Sequence, residues 1–180
     1  MKQIASFLLG LITLISVQSC QSNKRANNYN DKALVDDSGL MFLKNGMEGS
    51  LITIKASGLA ISNSKNQQVI QFAKAMIDDH TLLADNLKKL ETDNFVSAED
   101  TISPANLQLI TDLEQKKAAE FDKAYMGMVV SQHEQDLTLF KAAAQNKSPN
   151  LSDFARKAMP SLQAHLDSAR MISTTLYKVY

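Results

Sequence analysis

In 180 residues the chain has no tryptophan, one cysteine, three prolines and six glycines. A single cysteine excludes an internal disulfide, and with it a scaffold held by cross-links. So few glycines, prolines and aromatics (6 % of residues) argue against a sheet-rich protein. Net charge is missing too: 19 basic residues balance 19 acidic ones. No long-range field of one sign is available to draw in nucleic acid or another strongly charged partner. The chain also lacks a nucleophile triad and a glycine-rich phosphate loop. What it has in quantity is alanine, leucine, lysine, glutamine, aspartate and methionine, a composition that favours helices.

The first twenty residues, MKQIASFLLGLITLISVQSC, have the form of a targeting segment. Lys2 supplies a positive start, and an apolar run from Ile4 to Val17 is too short for a comfortable membrane span. The run ends at Val17-Gln18-Ser19-Cys20, which resembles the lipobox of bacterial lipoproteins. Cys20, the only cysteine, stands where the lipid would be attached, so it is the expected lipidation site. Residues 1–19 then form a leader that is removed. Its loss takes away Lys2 and no acid, leaving 18 basic against 19 acidic residues and a formal charge of −1. Two or more acyl chains hold a protein firmly to a bilayer. The expected location is the envelope of a bacterium, at the outer membrane and facing the periplasm.

Residues 20–37 read as the lipidated cysteine and a flexible, asparagine-rich tether. The domain proper is expected over 38–180, with no strand. Four helical patterns can be traced. The first spans roughly 40–62, with Met47, Leu51, Ile54, Gly58 and Ile61 on one face; the second spans roughly 66–91. After a polar loop, Ser103-Pro104 marks a helix start. A short helix there is expected to run directly into a long third helix ending near Asn146. The fourth carries Leu151, Ala155, Ala158, Leu162, His165, Ala169, Ile172 and Leu176 on its buried side, with a kink expected at Pro160. The expected fold is all-α, an antiparallel four-helix bundle.

The three histidines, His80, His133 and His165, occupy three different helices. Each falls on an apolar seam: His80 follows Val69, Ala73 and Met76 and precedes Leu83, Leu87 and Leu90 at steps of three and four. All three lie near mid-height, so the spacing predicts a cluster on the bundle axis. The plainer reading of any one of them is a core histidine bonded to a neighbour. Together they form a candidate three-imidazole site for one zinc or copper ion. Asp136 is the acid best placed to join as a ligand or to hold an imidazole, with Glu48 also suitably placed. Asp79 and Glu134 are adjacent in sequence to histidines and so point about 100° away, toward solvent or a helix edge. Methionines on or beside the seams, such as Met76 and Met128, read as core filler before they read as copper ligands. Buried neutral histidines predict stability that falls as pH drops through about 6.5.

Three blocks carry a family resemblance: VIQFAKAMIDDHTLLADNLKKL, FDKAYMGMVVSQHEQDLTLFKAAA and LSDFARKAMPSLQAHLDSARMI. Phe72-Ala73 with Asp79-His80, Phe121-Asp122 with Ala124-Tyr125, His133-Glu134, Phe154-Ala155, Pro160 and His165-Leu166 fit its order and spacing. Over about residues 38–178 the chain resembles the bacterial domain of unknown function 4142, a group described as predicted outer-membrane proteins. The resemblance implies a ferritin-like bundle and little about activity. One departure matters. Family members carry a glutamate-rich stretch in the first helix, and here Thr53 and Lys55 stand at the corresponding positions. With no Glu-x-x-His pair anywhere, a di-iron centre is not expected.

The function expected from these features is that of a membrane-anchored, non-catalytic lipoprotein serving envelope maintenance or stress response. Its membrane contact is the lipid, nucleic acid is excluded as a partner, and a protein partner is left open. The alternative is a zinc- or copper-binding lipoprotein using His80, His133 and His165; a metalloenzyme ranks last.

Overall fold

The computed structural model describes residues 33–179; Cys20, the leader and most of the tether lie outside the described residues. Among those residues there are five helices and no strand: α1 (Asp37–Asn63), α2 (Gln67–Asp93), α3 (Pro104–Glu114), α4 (Ala118–Ala143) and α5 (Pro149–Val179). Their starts follow from local chemistry. The Asp36 carboxylate accepts from the Gly39 amide at 2.9 Å, and the Asn66 side chain accepts from the Gln68 and Val69 amides. Ser103 and Pro104 open α3.

Two expectations need correction. The third pattern is two helices, not one. The chain breaks at 115–117, where Lys117 is extended (φ −139°, ψ 152°) and Ala118 takes a positive φ of 49°. No glycine or proline marks that break. Lys117 fixes it from outside, its ammonium donating to the Asn63 side chain at the end of α1. The face of α1 is also rotated from the expected one. Gly58 and Ile61 are exposed and Leu51 and Ile54 half-buried, while Gly46, Gly49, Ser50, Thr53 and Ser57 are buried. Small residues let neighbouring helices approach closely: the nearest atom to the Cβ position of Gly46 is Leu87 Cδ1, at 3.3 Å. Two of the buried hydroxyls are paired, Ser50 to the Gly46 carbonyl and Ser57 to the Tyr125 hydroxyl at 2.8 Å. Thr53 Oγ1 is buried without a partner.

The long helix α1 lies along α2 and α4, and α5 lies along α4 and α2; α3 packs on α1 and α4. Pro160 does not divide α5, although its ring deprives the Arg156 carbonyl of a helical bond. The apolar interior comes in two parts. One gathers Ile52, Phe72, Met76, Tyr125, Val129 and Ile172. The other gathers Phe42, Met47, Leu87, Phe140, Leu151 and Leu162, with Phe42 and Phe140 edge to face at 5.0 Å. Along each helix the two parts are separated by a polar level: His80 on α2, His133 on α4, His165 on α5, and Gly49 and Ser50 on α1.

Candidate metal centre

At this level the three imidazoles meet. Ring centroids are 5.1 Å apart for His80 and His133, 5.5 Å for His133 and His165, and 5.8 Å for His80 and His165. One nitrogen from each can be chosen so that all three lie within 4.8 Å of one another. His80 and His133 are fully buried, and the His165 side chain is 13 % exposed.

Hydrogen bonding fixes the tautomers. His133 Nδ1 lies 2.9 Å from the Val129 carbonyl, which can only accept, so Nδ1 carries the proton and Nε2 presents a lone pair. His80 Nε2, 3.2 Å away, donates to that lone pair, leaving a lone pair on His80 Nδ1. His165 Nε2 is 2.9 Å from Asp79 Oδ2; a carboxylate accepts, so His165 carries a proton at Nε2, which turns Nδ1 away from Asp79. Both of these Nδ1 atoms are buried with no partner.

Burial holds His80 well below its ordinary pKa, aided by the two neighbouring imidazoles. Burial likewise lowers His133 to about 4, against the opposing pull of the Val129 carbonyl and with a further lowering from His165. Both are therefore neutral at physiological pH, the form in which imidazole binds a metal.

The neighbouring acids are arranged differently from the sequence expectation. Asp79 is half-exposed, as expected of a helix edge, yet it is the acid that holds an imidazole, its Oδ2 lying 2.9 Å from His165 Nε2. Glu134 does go to the surface, pairing with Arg170 at 2.7 Å. Asp136 stands apart. Its carboxylate accepts from Gln132 and faces Gly49 of α1, while the nitrogens of His133 are both engaged elsewhere. Glu48 is occupied by the chain before α4: its Oε1 accepts from the Ser103 amide at 2.8 Å and the Asn106 side chain at 2.7 Å. Lys55 is exposed and Thr53 is buried but cannot replace a carboxylate. A cleft of about 360 Å³ opens beside the cluster, with His80, His165 and Asp79 in its wall.

The residues suit one ion. Three imidazoles converge, and two are oriented by groups behind them, Val129 O and the Asp79 carboxylate, as metal-bound histidines commonly are. Around a tetrahedral zinc with bonds of about 2.0–2.1 Å, nitrogens stand about 3.3 Å apart. The widest pair here would close by roughly 1.5 Å.

The family model of the Domain of unknown function (DUF4142) matches residues 24–172. The chain belongs to this family. No curated protein and no solved structure matches it. The DUF4142 match takes in all three histidines and Asp79, along with α2, α4 and α5 as far as residue 172.

Proposed function

We propose that this DUF4142 protein is a lipid-anchored envelope protein whose helical domain binds a single zinc or copper ion through His80, His133 and His165. The observation that carries the reading is the convergence of three imidazoles, one nitrogen from each within 4.8 Å of the others, with His80 Nδ1 and His165 Nδ1 buried and without partners. Buried polar atoms are normally satisfied, and each one left unmade costs roughly 1–3 kcal/mol. A cation at the centre would take up these nitrogens and replace the bond between His80 and His133 as the partner of His133 Nε2.

The helices support a ferritin-like, antiparallel four-helix bundle. Ser57 meets Tyr125 near one end of α1 and Gly46 meets Phe140 toward the other, so α1 and α4 run oppositely. Gly46 also meets Leu87, which sets α2 opposite to α1 after their three-residue turn. Thus α2 and α4 run the same way, and the 94–117 segment containing α3 is the long crossover such a fold requires. Glu48, the acid of α1 at this level, is turned to Ser103 and Asn106, which favours one ion bound by nitrogen over a di-iron pair.

The anchor rests on the leader and Cys20. No helix among the described residues is long and apolar enough to cross a membrane. The domain then serves as a metal-holding or metal-sensing body in the envelope, and non-catalytic maintenance or stress tolerance is the role that asks least of it.

The test is thermal unfolding of the full chain in mild detergent, titrated separately with Zn²⁺ and Cu²⁺. At a hundredfold excess over Kd, binding contributes about 2.7 kcal/mol, raising Tm by roughly 5–10 °C for a domain of this size. The separate titrations distinguish the two metals. No gain with either ion, or an equal gain in a His80→Ala/His133→Ala/His165→Ala variant, would overturn the metal assignment. Palmitate labelling tests the anchor: label retained in Cys20→Ala protein would contradict it.

A further inference from the structure

The buried face of α4 divides at mid-height. His133 turns to the other imidazoles, and Asp136, one turn on, turns to α1. Asp136 is only 3 % exposed; Oδ1 accepts from Gln132 Nε2 at 2.9 Å and Oδ2 has no partner. Burial pushes its pKa up to about 7, since a bare carboxylate is poorly tolerated there. Room for the group is made by Gly49. A Cβ on that residue would stand 2.6 Å from Asp136 Oδ1 and 2.9 Å from Gln132 Nε2. A helix-interior glycine costs about 1 kcal/mol relative to alanine. The chain thus gives up helix stability to lodge an unpaired acid in its interior.

Asp136 borders a cleft of about 220 Å³ between α1, α3 and α4. A second carboxylate, Glu48, lies in the same wall, held in place by its bonds to Ser103 and Asn106. Carboxamides from Asn45, Asn106, Gln132 and Gln135 make up most of the rest, and no lysine, arginine or histidine is among the lining residues. Every strong donor atom that can be offered to a cation here is oxygen.

We propose that this cleft binds a hard divalent cation of the calcium class, held by the carboxylates of Asp136 and Glu48 together with carboxamide oxygens and water. Two negative charges balance a 2+ ion. Calcium accepts six to eight oxygens in irregular geometry, which suits a mixed carboxylate and carboxamide wall better than the strict octahedron of magnesium. The site is separate from the imidazoles in chemistry as well as place: oxygen donors select hard cations, and imidazole selects zinc and copper.

Thermal unfolding of the full chain in detergent at pH 8, with millimolar Ca²⁺ against a chelator at matched ionic strength, tests this. The expected result is a Tm several degrees higher in Ca²⁺, a response lost in Asp136→Asn. If Asp136→Asn does not fold, Glu48→Gln replaces it, with the Ca²⁺ midpoint expected to rise at least tenfold. No Ca²⁺ response in the wild type, an equal response in Asp136→Asn, or an unmoved midpoint in Glu48→Gln would overturn the proposal. The zinc or copper response of the same variants reports on the imidazole site independently.

Discussion

His133 is oriented by its own helix, through the Val129 carbonyl one turn back, whereas His165 depends on an acid from another helix, Asp79 of α2. The second arrangement is the more exposed to mutation. Asp79 is half-exposed, so its pair with His165 adds little to folding. It does fix which nitrogen of His165 faces inward. Asp79→Ala is therefore expected to leave the metal-free Tm within about 1–2 °C while weakening zinc or copper binding about 10–100-fold, read by competition with a chelating dye. Asp136 supports a prediction of a different kind. Its folded-state pKa lies above its unfolded value, so the native protein holds a proton that the unfolded chain releases as pH rises from about 4 to 7. The resulting stability is present at low pH and lost on going up. His80 and His133 work the other way: their folded pKa values are depressed, and stability is lost as pH falls from 6.5 toward about 4. In chelator, Asp136→Asn should match wild type near pH 4 and exceed it by on the order of 3–4 kcal/mol at pH 8, measured by urea unfolding. Its stability should also fall more steeply on acidification, because the opposing acid is gone. The imidazole cluster was legible at this scale because three seam positions at one height must converge. Asp79 was not, since its 100° offset from His80 says nothing of how far His165 leans. Nor was Asp136, because its place depends on a gap that Gly49 leaves in another helix.

The helices themselves were legible where cap chemistry and periodicity agree, as in α2 from Asn66 onward and α3 from Ser103-Pro104. They were less so where the buried face is made of small or polar residues. In α1 Leu51 and Ile54 of the expected seam lie against the crossover, while glycine, serine and threonine join Phe42, Leu43, Met47 and Ile52 in the interior. The separation of α3 from α4 left no signal because Gln115, Lys116 and Lys117 are all acceptable inside a helix. Glycine substitutions make the rotated face of α1 testable. At Gly58 and Gly127 an added Cβ meets nothing within 4 Å, so alanine should stabilise each by about 0.5–1 kcal/mol. Gly49→Ala should destabilise despite the same gain in helix propensity, because its Cβ would collide with Asp136 and Gln132. Chemical unfolding of the three variants checks this. A stabilising Gly49→Ala would mean that α1 does not present this face to α4.

At the scale of the whole molecule, the two apolar clusters hold the helices together and the level between them is free to carry chemistry. A packed leucine or phenylalanine layer at His80, His133 and His165 would serve stability better, since burying polar groups without partners is costly. The sequence instead places imidazole on three of the four long helices and small residues on α1, which leaves space at the axis without adding a carboxylate. That arrangement underlies the proposed nitrogen-bound mononuclear site. X-ray absorption at the zinc or copper edge of the metal-loaded full chain tests it most directly. The account predicts about three imidazole nitrogens at about 2.0–2.1 Å, with at most a light atom from water completing the sphere. A sphere of oxygen donors alone, or one with fewer than two imidazoles, would contradict it.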